Sequence, residues 1–228
     1  MPSWAMTRRG LIASVLAWPS LATAATASAQ AGGRVATAPY GPDPRQRLEM
    51  FAPSRSIAAA PVVVILTGGD RAAGRHLGRA MADQGFLGVA AGVRAAPGTA
   101  FADFIADAAR AVSSAAEACE GYGGDPGRLT VLGWGDGAHA AWMLARDRRY
   151  MAAVGRTGLI RAVAAITHGR TRRGFDAAAT RAAFSAADQP PLLETTDATP
   201  SALAAFLHDR LAAPSGSVSS ADAGPGAQ

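Results

Sequence analysis

Arg128-Leu129-Thr130-Val131-Leu132-Gly133-Trp134-Gly135-Asp136-Gly137-Ala138-His139 holds the key to the fold. Residues 128–132 are short, apolar and partly β-branched, which predicts a buried strand. Ala138 to Arg146 (AHAAWMLAR) has helical spacing and composition. Three alternating glycines separate the two, so the chain must turn tightly from strand into helix. Outward from this unit, strands are predicted at Arg47 to Phe51, Pro61 to Leu66, Phe86 to Ala91, Arg161 to Ile166 and Pro191 to Leu193. Helices are predicted around His76 to Gln84, Asp103 to Ala118, Ala177 to Ala187 and Ser201 to Leu211. Strands alternating with helices imply an α/β fold in three layers, a mostly parallel sheet covered on both faces.

Gly133-Trp134-Gly135-Asp136-Gly137 has the frame of the G-x-S-x-G nucleophile elbow, with Gly135 where the serine would stand. Other segments fall in a matching order. Tyr40 to Leu48 (YGPDPRQRL) precedes an early strand. Pro61 to Asp70 (PVVVILTGGD) is a strand followed by a glycine-containing loop. Tyr122 to Arg128 (YGGDPGR) leads into the elbow strand, and Gly137-Ala138-His139 opens the helix after it. From Val35 to about Asp147 the chain resembles α/β-hydrolases of the carboxylesterase type, in particular small bacterial enzymes that cleave acyl or feruloyl esters. The resemblance implies the α/β-hydrolase fold, with its sheet shortened at the C-terminal edge.

It also implies where a site would lie. Thr67, Gly68, Gly69 and Asp70 occupy the place of the family's H-G-G-G oxyanion loop, and Trp134, Gly135 and Asp136 that of the elbow. Thr67 stands for the loop histidine. Asp70 replaces a glycine, putting a negative charge where an oxyanion would develop, against the electrostatics such a site needs. Asp197, after Pro190-Pro191-Leu192-Leu193, is the best counterpart of the catalytic acid. The family would supply a further strand and the catalytic histidine after the helix at 201–211; here Ala213 to Gln228 is small, polar and predicted to be disordered.

The N-terminus reads as a targeting segment. Thr7-Arg8-Arg9-Gly10-Leu11-Ile12 resembles a twin-arginine export motif, Leu11 to Ala27 is apolar and alanine-rich, and Ala27-Ser28-Ala29 fits a cleavage site. The expected organisation is therefore a signal peptide over 1–29, an α/β-hydrolase-like domain over 30–212 and a tail over 213–228, with the protein exported to the periplasm or secreted. No stable membrane span is expected after processing. The chain has 228 residues, 49% hydrophobic and 17% charged, enough for one core. Its formal charge of +5 includes Arg8 and Arg9, and it contains no lysine, so no nucleic-acid surface is implied. The one local basic cluster is Arg170, Arg172 and Arg173 after a strand, either facing an anionic ligand or, more simply, a solvated loop.

Cofactors are not expected. Gly133-x-Gly135-x-x-Ala138 satisfies a relaxed dinucleotide-binding pattern, but that motif wants an acidic residue at the end of the next strand, where Thr167-His168-Gly169 stands. The histidines at 76, 139, 168 and 208 have no paired metal-ligand spacing. His168, following a strand, is the one placed at a ligand-binding edge. Cys119 shares helical spacing with Val112, Ala115 and Ala116 and reads as a small buried residue. With Gly135 side-chain-less, the expectation is a protein of carboxylic-ester-hydrolase ancestry without ordinary Ser-His-Asp catalysis, a pseudoenzyme or binding scaffold for a small ester or acylated sugar. The alternative is an active esterase using a relocated nucleophile or activated water.

Overall fold

A computed structural model describes residues 35–55, 57, 59–95, 99–167, 190, 192–195 and 199–212. The expected signal segment at 1–29, the helix at 177–187 and the tail at 213–228 lie outside them.

The chain order is β1 (Val35–Pro39), β2 (Arg47–Phe51), β3 (Ala60–Leu66), α1 (Arg71–Asp83), β4 (Leu87–Ala91), α2 (Phe101–Ala118), a 3₁₀ turn (Cys119–Tyr122), β5 (Gly124–Trp134), α3 (Asp136–Arg146), α4 (Arg148–Ala153), β6 (Ala162–Ile166), β7 (Leu192–Thr195) and α5 (Pro200–Ala212). The strands form one sheet in the order β1-β2-β4-β3-β5-β6-β7. β2 runs antiparallel to both β1 and β4, and the other pairings are parallel. The mostly parallel, two-sided α/β sheet expected from the sequence is therefore present.

β3 shows why the centre of the sheet looks as it does. Its seven residues are all buried and rich in valine and isoleucine, the composition of a strand covered on both faces. Val62, Val64 and Leu66 join the core formed with α2, α3 and α4, where Phe104, Ile105, Val112, Ala140 and Leu144 pack. Val63 and Ile65 point the other way, towards Leu77 and Met81 of α1 and Leu203 and Leu207 of α5. The period of two that separates these sets is the pleat itself.

Several boundaries differ from expectation. β5 begins at Gly124, so residues 124–127, read as a loop, extend the strand; a register shift in the facing strand between Pro61 and Val62 accommodates them. α1 begins at Arg71, five residues before the expected start, because the Asp70 carboxylate accepts from Ala73 N at 3.0 Å and caps it. β1 and α4 carry too little apolar periodicity to be foreseen. β1 is ordered by its antiparallel register with β2, and α4 by the Asp147 side chain accepting from Arg149 N.

A buried polar cluster fixes the carboxyl end of β4. Asp107 on α2 is fully buried and accepts from Arg94 Nε and Nη2, each at 2.8 Å, from Arg94 N at 3.1 Å and from Gln46 Nε2 at 2.9 Å. Arg110 donates a further hydrogen bond. Burial works to raise the Asp107 pKa, but the bonds from Arg94 and Arg110 outweigh it and hold the carboxyl below its ordinary value. Tyr40 Oη also donates to Gly92 O, just past β4. Among the described residues no helix is long and apolar enough to cross a membrane, and no group of three or more potential metal ligands converges.

Candidate functional site

The turn between β5 and α3 is an elbow in three dimensions. Gly135 has φ 58° and ψ −123°, its N–H donates to Ile166 O at 3.0 Å, and its carbonyl accepts from Ala138 N at 3.0 Å. The three glycines serve different ends. A Cβ at Gly133 would lie 2.5 Å from Ala138 Cα and 2.6 Å from Gly137 O, and one at Gly137 would strike Leu66 O on the central strand. These two are required by close backbone packing. A Cβ at Gly135 would have nothing within 4 Å. The middle position therefore faces open space, as the side chain of a nucleophile must, and holds no side chain. Its positive φ is relaxed for glycine and would strain an L-residue by roughly 1–3 kcal/mol.

The Thr67–Asp70 loop lies directly against this elbow. Gly68 (φ 62°) packs on Asp136 Cβ so closely that an added Cβ would collide with it and come within 3.1 Å of Gly137 N. Thr67, buried at 7% exposure, donates from Oγ1 to Asp70 O at 2.7 Å, while Asp70 N donates back to Thr67 O at 3.3 Å. This pair closes the loop without the histidine it replaces. The Asp70 carboxylate is the N-cap of α1, bound to Ala73 N, a role the sequence reading did not assign it. Thr67, Gly68, Gly69, Asp136 and Gly135 are thus brought together. Trp134, the last residue of β5, packs partly buried against the α1/α5 core. Asp197, His168 and the cluster of Arg170, Arg172 and Arg173 lie outside the described residues.

The remaining candidates are structural where they are described. His208 approaches Gln84 O at 3.3 Å and the Phe86 ring at 4.3 Å, docking α5 beside α1. Cys119 is fully buried, and burial, followed by the charge of Glu120, pushes its thiol up to about 11. His139 is 8% exposed, beside Phe101 and Trp142 at 5.0 and 6.4 Å between ring centroids, and burial pushes its pKa down to about 4. The unfolded chain takes up this proton near pH ~6.5 while the folded chain resists until about pH 4. Folding stability should therefore fall as pH is lowered through this window, by about 3 kcal/mol. Urea titrations across it should show a shallower slope for His139→Phe; an unchanged slope would refute the assignment.

On the α1 side of the loop is a cavity of about 290 Å³. Thr67 and Gly69 form one edge, Ala90 and Ala95 contribute apolar lining, and Arg45, Arg47, Glu49 and Arg71 are the charged lining. Glu49 is buried and bridges Arg71 Nη2 at 2.8 Å and Arg75 Nε at 2.6 Å. Burial opposes its ionisation, yet these two guanidiniums hold its pKa below the usual value. Sequence reasoning missed this cavity. Its charged residues come from a turn, a strand and a helix, and nothing in their spacing announces that β2 pairs with β4 beside α1.

No protein-family model matches the chain. It is 35% identical over 107 residues to a probable isoprenylcysteine alpha-carbonyl methylesterase of Oryza sativa subsp. japonica and 34% identical over 107 residues to the isoprenylcysteine alpha-carbonyl methylesterase of Arabidopsis thaliana. Each match takes in 45% of this chain but only 26% and 25% of those proteins. Among solved structures, esterase 2 of Thermogutta terrifontis phosphoramylated by tabun is similar at TM-score 0.57 and 18% identity, over 80% of each chain. Esterase B of Lactobacillus rhamnosis is similar at TM-score 0.51 and 23% identity, over 58% of this chain and 47% of its own. With the strand order and the elbow, these likenesses show the α/β-hydrolase fold, and the proteins it resembles here belong to an esterase lineage.

Proposed function

We propose that this protein is an exported member of that lineage which keeps the frame of an ester-hydrolase site as a binding scaffold and lacks ordinary serine acyl transfer. One observation carries the reading: Gly135 holds the elbow conformation beneath open space, with no atom able to attack a carbonyl. In a serine hydrolase the hydroxyl at this point attacks, a histidine takes its proton, and backbone amides stabilise the oxyanion. Here the amides of the Gly68-Gly69 turn and the amino end of α3 remain beside the vacant position. They suit the carbonyl of a small ester or an acylated sugar, ligands in keeping with the acyl or feruloyl ester resemblance. Loss of a triad costs on the order of 10⁶ in turnover, while an oxyanion site with binding retains about 10³ to 10⁴ over water. Residual carbonyl polarisation therefore fits a scaffold.

A relocated nucleophile has little support. The single cysteine is buried, with its thiol pushed up to about 11, so it is protonated at neutral pH. Export to the periplasm or beyond rests on the Arg8-Arg9 segment and the Ala27-Ser28-Ala29 pattern. The test is fluorophosphonate labelling of the purified protein read by intact mass, with aryl-ester turnover and circular dichroism in parallel. A folded protein with neither adduct nor turnover is expected. A stoichiometric adduct with turnover would overturn the reading, and peptide mapping would find the nucleophile.

A further inference from the structure

The cavity beside the Thr67–Asp70 loop has a surplus of positive charge with a definite arrangement. Among the described residues its one lining acid, Glu49, is shared by Arg71 and Arg75. Arg45 is tied to Asp43 through Nε at 2.9 Å and Nη2 at 2.7 Å. Arg47, at the start of β2, lines the same cavity and pairs with no acid among the described residues. Two lining cations, Arg45 and Arg71, are thus held by carboxylates, and Arg47 is the lining cation left without one among the described residues. Because Glu49 stays ionised, it anchors Arg71 to the cavity wall. Ala90, the register neighbour of Glu49, and Ala95, which faces Gly69, add apolar lining at and just past the end of β4, and that strand end is itself held in place by Asp107 and Arg94. Charge without a counter-ion in a partly apolar cleft concentrates the field there.

We infer that this cavity binds a small ligand with an apolar body and one anionic oxyacid head, a carboxylate or phosphate, held by the Arg47 guanidinium. A guanidinium presents paired N–H donors that match the oxygens of either group. The volume of about 290 Å³ is at the small end of ligand sites, suiting a single ring or short chain. No residue from Gly133 to Gly137 lines the cavity, so binding there goes beyond the elbow reading and stands whether or not the elbow catalyses. Thr67 and Gly69 belong to both places, and an occupant would lie beside the loop that faces Gly135.

Benzoate, phenyl phosphate and the neutral benzyl alcohol, titrated into the isotope-labelled whole chain and followed by amide NMR, test this directly. Saturable shifts centred on Thr67, Gly69 and Gly92 are expected with one or both anions, and their relative strengths tell carboxylate from phosphate. Benzyl alcohol should give none. Arg47→Gln should weaken anion binding about tenfold or more, and raised salt should weaken it further in the parent chain. Arg55→Gln, an equal charge change on an exposed residue between β2 and β3, should leave it unchanged. Equal shifts with benzyl alcohol, equal losses in the two variants, or no saturable shift with either anion would overturn the proposal. The fluorophosphonate result bears on none of these outcomes, so failure here and failure at the elbow are separable.

Discussion

Asp107→Ala is expected to lower the unfolding free energy by about 2–3 kcal/mol, read as a drop in the urea midpoint with an unchanged slope. The size follows from what the carboxylate leaves behind. Arg94 would lose three hydrogen bonds and its counter-charge, Arg110 one, and Gln46 Nε2 one, at a fully buried position. Arg94 and Arg110 keep access to water, at 29% and 46% side-chain exposure, so the cost comes from the lost charge-assisted bonds and the buried Gln46 amide left without its acceptor, still more than a surface pair is worth. The effect should reach beyond stability. Gln46, Arg94 and Gly92 flank the cavity wall, and their release would loosen the end of β4 that shapes it. The Asp107 carboxyl is held below the usual carboxylate pKa, so its contribution is present above that value and fades as pH falls through the folded pKa. The variant should lose this acid dependence. A loss below about 1 kcal/mol would show that the cluster is solvated, contrary to the buried geometry.

Gly137→Ala should be nearly as damaging, while Gly135→Ala should not. An added Cβ at Gly137 runs into the carbonyl of Leu66, main chain of the central strand, with no flexible side chain to yield. Either α3 or β3 must shift, at a cost of about 3 kcal/mol or more, against a gain of up to about 1 kcal/mol from replacing a helical glycine. At Gly135 the new methyl meets open space, and only the positive φ resists, at roughly 1–3 kcal/mol. Chemical denaturation of the two variants separates clash from backbone strain. If Gly135→Ala proved the more destabilising, the elbow would not be built as described. The pair also bears on function, because an elbow that accepts a side chain at its centre keeps the shape of a nucleophile turn.

The strand-turn-helix unit around Gly135 was legible because each part is local. A β-branched apolar run, alternating glycines and a helical apolar face all lie within residues 128–146. β3, β4, β6, α2 and α5 were legible for the same reason, with ends displaced by a few residues where a cap or a neighbouring strand decides them. Asp70 shows the limit. Its capping of α1 through the amide three residues on went unread because the helix was expected to start at His76.

What the sequence determined by itself is the α/β alternation, the absence of a side chain at the elbow's centre and the basic balance of the chain. These depend on residue type and short-range order. The tertiary structure alone decided which glycine is free and which are locked, since that turns on Leu66 and Ala138 meeting the elbow across the sheet. It alone assembled the Asp107 cluster and the cavity of Arg45, Arg47, Glu49 and Arg71, whose members meet only because β2 pairs antiparallel with β4 and α1 packs over both. Contacts between residues distant in the chain are fixed by strand pairing and packing, and no local pattern encodes them.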